Sequence, residues 1–80
     1  MDDMKVCEIV DVLEGLVDDM PVKPREELLR AIDLLKKMNG DVEILLRAQD
    51  QLEHVSSIPN IDTFSRSEIS NILAEIEELM

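Results

Sequence analysis

Arg25 and Arg66 are the residues whose type and placement first invite a chemical reading. Each follows a proline-containing break and opens an apolar-periodic stretch, at matching places in a pattern written twice. A cation at a helix N-terminus opposes the helix dipole, so it calls for a compensating partner. A guanidinium can fork its donors onto a carboxylate or onto loop carbonyls, tying the proline loop to the neighbouring helix. Asp18 or Asp19 is the expected partner of Arg25, and Glu53 or Asp62 that of Arg66. The alternative use, an anion or phosphate site, is disfavoured by two such cations standing amid many acids.

The other reactive side chains form no recognisable constellation. His54 is the only histidine and follows Glu53 directly. Adjacent helical side chains diverge, so the pair is no Glu-x-x-His di-iron motif, and a solvent-facing or helix-capping histidine is expected. One Cys and one His cannot complete a four-ligand zinc shell. Cys7, in the first apolar stretch without a histidine near it, is expected to be a buried, inert thiol. The acids Asp11, Glu14 and Asp18, and Glu75 and Glu78, recur at the three- and four-residue spacing of a solvated helix face. Asp41 to Leu52 does not reproduce a calcium loop, Gly15 and Gly40 are isolated, and Ser56, Ser57, Ser65 and Ser67 lack a partnering motif. No cofactor, metal or catalytic residue is implied.

These residues sit in an 80-residue chain with net charge −11, nineteen acids against eight bases. Beyond Ala48, Arg66 is the only Lys or Arg among seven carboxylates. Nucleic-acid affinity rests on cations that displace counterions, so nucleic acid is disfavoured as a direct ligand, and anionic membrane surfaces are disfavoured by the same sign. No apolar run approaches the roughly 20 residues that span a bilayer. The opening Met-Asp-Asp-Met-Lys lacks a secretory pattern, and the single cysteine suits a reducing compartment, so the cytoplasm is the expected location. Phe64 is the sole aromatic, which leaves Leu, Ile, Val, Met and Ala to build the core. A core this small is compatible with self-association.

The elements that must position these residues are helices. Val6, Ile9, Val10, Leu13, Leu16 and Val17 form an amphipathic stripe, with Asp2 or Asp3 to cap its start. Pro21 ends that helix because the residue before a proline is pushed out of helical geometry. Pro24 suits a first turn, and Glu26 and Glu27 favour the positive end of its dipole. Leu28, Ala31, Ile32, Leu35 and Met38 are the buried stripe. Asn39-Gly40 stops the helix and Asp41 caps the next, whose buried face is Leu45, Ala48, Leu52 and Val55. Ile44 and Leu46 lie off that seam as a candidate secondary contact. Ser56 to Phe64 is the longest irregular segment, with Pro59-Asn60 as turn formers. Ser65-Arg66-Ser67-Glu68 has capping-box spacing, and Ile69, Ile72, Leu73, Ile76 and Leu79 follow on one face. Gly15, inside a periodic helix, predicts a tight helix crossing within the bundle or across a dimer.

The predicted architecture is all-α: one domain, a four-helix up-and-down bundle of two similar hairpins, with helices at about 3–19, 24–38, 42–56 and 66–79. In the repeat, Leu13-Glu14, Met20-Pro21, Arg25, Glu27, Leu28, Ile32 and Leu35 correspond to Leu52-Glu53, Ile58-Pro59, Arg66, Glu68, Ile69, Leu73 and Ile76.

The run Leu52-Glu53-His54-Val55-Ser56-Ser57-Ile58-Pro59-Asn60, followed by Arg66 and by Ile69, Asn71, Ile72 and Leu73, resembles the signature of an archaeal family, Uncharacterised Protein Family 0147. The Pro21 to Arg25 turn resembles a second element of that family, and Ala31 matches a small residue in its next helix. The resemblance covers most of the chain and implies a compact four-helix bundle of unestablished activity. The chain departs from the family near Asp62, where a second proline is expected, and at Ser70, where an aromatic is expected.

The functional expectation is a non-enzymatic acidic interaction module. Its partner is an unidentified protein, basic in character if the acidic face makes the contact, or a second copy of the chain. Candidate contact or structural residues are Arg25, Arg66, Asp18, Asp19, Pro21, Pro59, Asn60, Ile44 and Leu46. The alternatives are a small carboxylate-using or metal-dependent enzyme, and an acidic decoy for nucleic-acid-binding proteins.

Overall fold

The structure, a computed structural model, describes residues 3–79 and, for side chains, residues 4–79. Its elements are α1 (Asp3–Val17), α2 (Val22–Lys37), α3 (Val42–Ser56) and α4 (Thr63–Leu79), with no strand among the described residues. Each helix packs on the next in sequence, and α4 returns to α1, closing the four-helix ring. The molecule measures 32 × 19 × 19 Å. Helices of this length run about 25 Å and are about 10 Å thick, so the long axis is one helix plus its links and the cross-section is two helices by two.

The apolar periodicity becomes the core. Val6, Ile9, Val10, Leu13 and Leu16 of α1 meet Leu28, Ala31, Ile32 and Leu35 of α2, Leu45, Ala48, Leu52 and Val55 of α3, and Ile69, Ile72 and Ile76 of α4. Met20, Met38 and Ile61, one from each link, plug the ends of the bundle. Val17, Leu73 and Leu79 are partly buried at its margin.

The ends of the elements differ from the predicted ones for local reasons. α1 stops at Val17 because its last turn tightens: the Asp19 and Met20 N–H groups donate to the Leu16 and Val17 carbonyls, three residues back, before Pro21. α2 opens at Val22, earlier than predicted, after Pro21 at φ −59° and ψ 164°. Pro24 still lies in the first turn, where a missing N–H forfeits nothing, and the first bond of the helix runs from the Arg25 N–H to the Pro21 carbonyl. Glu26 and Glu27 therefore fall beyond the first turn and do not face the positive end of the dipole. Lys36 and Lys37 do stand at the negative end.

The Asn39-Gly40 stop is as expected. Both residues have positive φ, 47° and 85°, and Asp41 then caps α3 by accepting the Glu43 N–H at 2.9 Å. α4 begins at Thr63, and its cap is Asp62, whose carboxylate accepts the Ser65 N–H at 3.4 Å. The predicted capping box is thus displaced by one turn; Ser65 points inward and is buried, with its hydroxyl unpartnered. The capping assigned to Asp2 or Asp3 lies outside the described side chains.

Gly15 is exposed and a Cβ added there would meet nothing within 4 Å, so no close crossing inside the bundle explains it. Cys7 is exposed, contrary to the buried thiol expected, because it falls on the outer flank of α1 beside buried Val6.

Candidate functional site

Both arginines act on the links that precede them. Arg25 donates from Nε to the Val17 carbonyl at 3.1 Å and from Nη2 to the Met20 carbonyl at 3.0 Å. Arg66 donates from Nη1 to the Ser56 carbonyl at 2.7 Å, and from Nη2 to the carbonyls of Ile58 at 2.9 Å and Ile61 at 3.4 Å. Val17 and Ser56 are the last residues of α1 and α3, and Met20 and Ile61 sit one residue ahead of Pro21 and Asp62. Each guanidinium therefore bridges the two ends of its link. In an antiparallel hairpin the start of one helix lies beside the end of the previous one. The cation answers the negative C-terminus of its neighbour, which resolves the apparent conflict with its own helix dipole.

The predicted carboxylate partners are not used. Asp18 and Asp19 are exposed on the first link, and neither pairs with Arg25; Glu53 is exposed and does not pair with Arg66. Asp62 serves as the α4 cap. Carbonyls win because the last turn of the preceding helix presents unpaired backbone acceptors directly to the fork. At α3 that accounting is complete through side-chain and backbone donors together. Ser56 Oγ donates to the Glu53 carbonyl at 2.8 Å, Ser57 Oγ to the His54 carbonyl at 2.7 Å, and the Ile58 N–H to the Val55 carbonyl.

The structural correspondence also corrects the repeat. Met20 matches Ile61 as the buried link residue, not Ile58, and Pro21 matches the cap Asp62, not Pro59. Pro59 and Asn60 belong to extra length in the second link and are exposed. Ile44 and Leu46, the candidate secondary contact of α3, do not share one exposed face. Ile44 packs against the core, while Leu46 is exposed on another face of α3.

Sequence reasoning missed a polar junction between α2 and α3. Gln51 Nε2 donates to the Glu27 backbone carbonyl at 3.0 Å and to its carboxylate at 2.7 Å. His54 Nε2 lies 3.7 Å from the same carboxylate, and Arg30 Nη1 lies 3.5 Å from it. The three-residue spacing of Gln51 and His54 on α3 was visible; which carboxylate of which helix met them was not. The junction holds two helices in register and offers no nucleophile.

A cleft of about 240 Å³ opens between the start of α1 and the end of α2. Val6, Val10, Leu35 and Met38 make its floor, with Cys7, Asp11, Lys36 and Asn39 around it. Lys36 turns its ammonium to Glu14 at 3.5 Å. Among the described residues no group of three or more His, Cys, Asp or Glu side chains is placed to hold a metal ion. No helix among them is long and apolar enough to cross a membrane.

Charge is distributed unevenly around the ring. α1 and α4 together carry eight acids and two bases, Lys5 and Arg66, whereas α2 carries five bases and three acids. Both bases of the acidic pair are engaged internally. Arg66 is turned onto its carbonyls, and Lys5 bonds Glu75 across α1 and α4 at 3.2 Å. That hydrogen bond, with the negative charge of Glu75, raises the Lys5 ammonium above its ordinary value. No family model, curated protein or solved structure matches the chain.

Proposed function

We propose that this protein is a non-enzymatic interaction module of the cytoplasm that receives a basic protein partner on the face formed by α1 and α4. The observation that carries this reading is the charge asymmetry: α1 and α4 carry eight acids to two bases in sequence, of which Asp11 and Glu14 stand toward α2, and Lys5 and Arg66 are both turned to internal acceptors. Complementary potentials of this kind act chiefly on association rate and partner choice. The cleft beside Cys7 supports catalysis poorly, since its ammonium is already paired with Glu14. Membership of Uncharacterised Protein Family 0147 is part of the same proposal, supported by the Leu52 to Leu73 run.

The test is capture from source-cell lysate by the tagged protein, beside a variant carrying Glu8→Lys and Glu68→Lys. A stoichiometric basic partner, released by raised salt and absent from the variant, is the expected result. A partner retained equally by the variant and in high salt would refute the acidic face.

A further inference from the structure

We propose that the outer seam between α1 and α4 is a docking surface for a basic amphipathic helix, seated on Val12 and Phe64 with its cations over Glu8 and Glu68. The inference rests on the acidic-face reading above and gives it an occupant and a position. The Lys5–Glu75 contact shows which helix faces meet at this seam. Lys5, Glu8 and Val12 share one stripe of α1, and Glu75, Glu68 and Phe64 share one stripe of α4, by their three- and four-residue spacings. The two helices are antiparallel. Two turns up α1 from Lys5 and two turns back along α4 from Glu75 bring Val12 opposite Glu68, with Phe64 a turn beyond.

Three properties coincide on this stretch, while exposed apolar side chains also stand elsewhere, at Met4, Val22, Leu29, Val42 and Leu46. α1 and α4 make the sparsest contact of the four adjacent pairs, because no link draws them together. Phe64, the only aromatic of the chain, is 63% exposed, and Val12 is 42% exposed. The charged groups beside them, Glu8 and Glu68, are both acids, while the one nearby arginine turns to the opposite flank of α4 to reach the α3 carbonyls. An apolar strip with acidic margins is complementary to a helix that has one apolar face and basic flanks. A nucleic acid would bring the wrong sign, and an unstructured basic chain would leave Phe64 and Val12 uncovered.

The test is a titration of the isotope-labelled protein at low salt, followed by amide resonances, with two synthetic peptides. One is a Leu/Lys amphipathic helix of about 16 residues, enough to span the seam at the helical rise. The other is a Gly/Lys peptide of equal length and charge. The expected result is 1:1 binding of the amphipathic peptide, with shifts centred on Glu8, Val12, Phe64 and Glu68. Phe64→Ser should weaken it about tenfold, the scale of an anchor residue at an interface. Because Phe64 is exposed, that variant should melt like the parent. If both peptides bind alike, with shifts on α1 and α4, and Phe64→Ser changes nothing, the seam is refuted while acidic docking stands; if the shifts fall on α2 and α3, the seam and the α1–α4 face are both refuted. If neither peptide binds, the seam and the acidic face fall together.

Discussion

Four residues join α1 to α2 and six join α3 to α4, yet an arginine reaches across both gaps to the same two landmarks. The landmarks are the last carbonyl of the finished helix and the carbonyl just ahead of the new helix's cap. What the two hairpins share is a long planar cation able to reach both ends of a link. The proline that advertises the repeat is not shared in role: Pro21 sits at the cap, and Pro59 sits within the added length. The extra residues of the second link expose one more carbonyl, that of Ile58, and Arg66 takes it. The second cap also gains a side-chain acceptor, Asp62, where the first has none.

The sharpest way to break this comparison is to remove each cation. Hydrogen bonds to charged groups contribute about 1.5–3 kcal/mol, discounted here for partial exposure, so Arg66→Met should cost about 2–4 kcal/mol and Arg25→Met about 1–2 kcal/mol in urea denaturation. Lysine at either position should restore less than half, because an ammonium cannot fork across both ends of a link. Equal costs at the two positions would mean that the Ile58 bond carries nothing.

Asp62→Ala tests the cap that distinguishes the second hairpin and should lose about 1 kcal/mol, whereas Pro21→Ala has no capping bond to lose. Thermal melting resolves this difference, since about 1 kcal/mol moves the midpoint of a domain this size by about 4–8 °C. At the place where α2 holds buried Pro24, α4 holds Ser65 with an unpartnered hydroxyl. Ser65→Ala removes that group and should leave stability unchanged or raise it by up to about 1 kcal/mol. A loss beyond that would show that the hydroxyl has an acceptor in solution.

Gly15 occupies in α1 the place that His54 occupies in α3, two residues after Leu13 and Leu52. With open space around it, Gly15→Ala should raise stability by about 0.5–1 kcal/mol, chiefly by restricting the unfolded chain. The smallest effect concerns Lys5. Its raised value means that its contribution is fully present below the unfolded lysine value, near 10.5, and is lost as pH rises through the higher folded value. Glu75→Gln should flatten that alkaline limb of the stability curve.

Much of the fold was legible because helix propensity, proline and glycine stops and apolar spacing are properties of neighbouring residues. The stripes of α2 and α3, the Asn39-Gly40 turn and the Asp41 cap follow from that logic. Boundaries slipped where the link itself had to be known: Ser65-Arg66-Ser67-Glu68 satisfied the capping pattern, but burying Ile61 starts α4 a turn earlier and hands the cap to Asp62. Cys7 went astray for a related reason, since it is apolar in character but lies on the flank of α1 that the ring of helices leaves open.

By itself, the sequence determined that there are four helices, which links separate them, most of the stripe that each buries, and that the surface is strongly acidic. These follow from short-range sterics and from composition. Only the tertiary structure decided that Arg25 and Arg66 answer backbone carbonyls in preference to carboxylates, that Glu27 meets Gln51 and His54, and that Lys5 meets Glu75 across α1 and α4. Those are distances between residues remote in the chain, and they exist only once the buried stripes have set how the helices lie against one another.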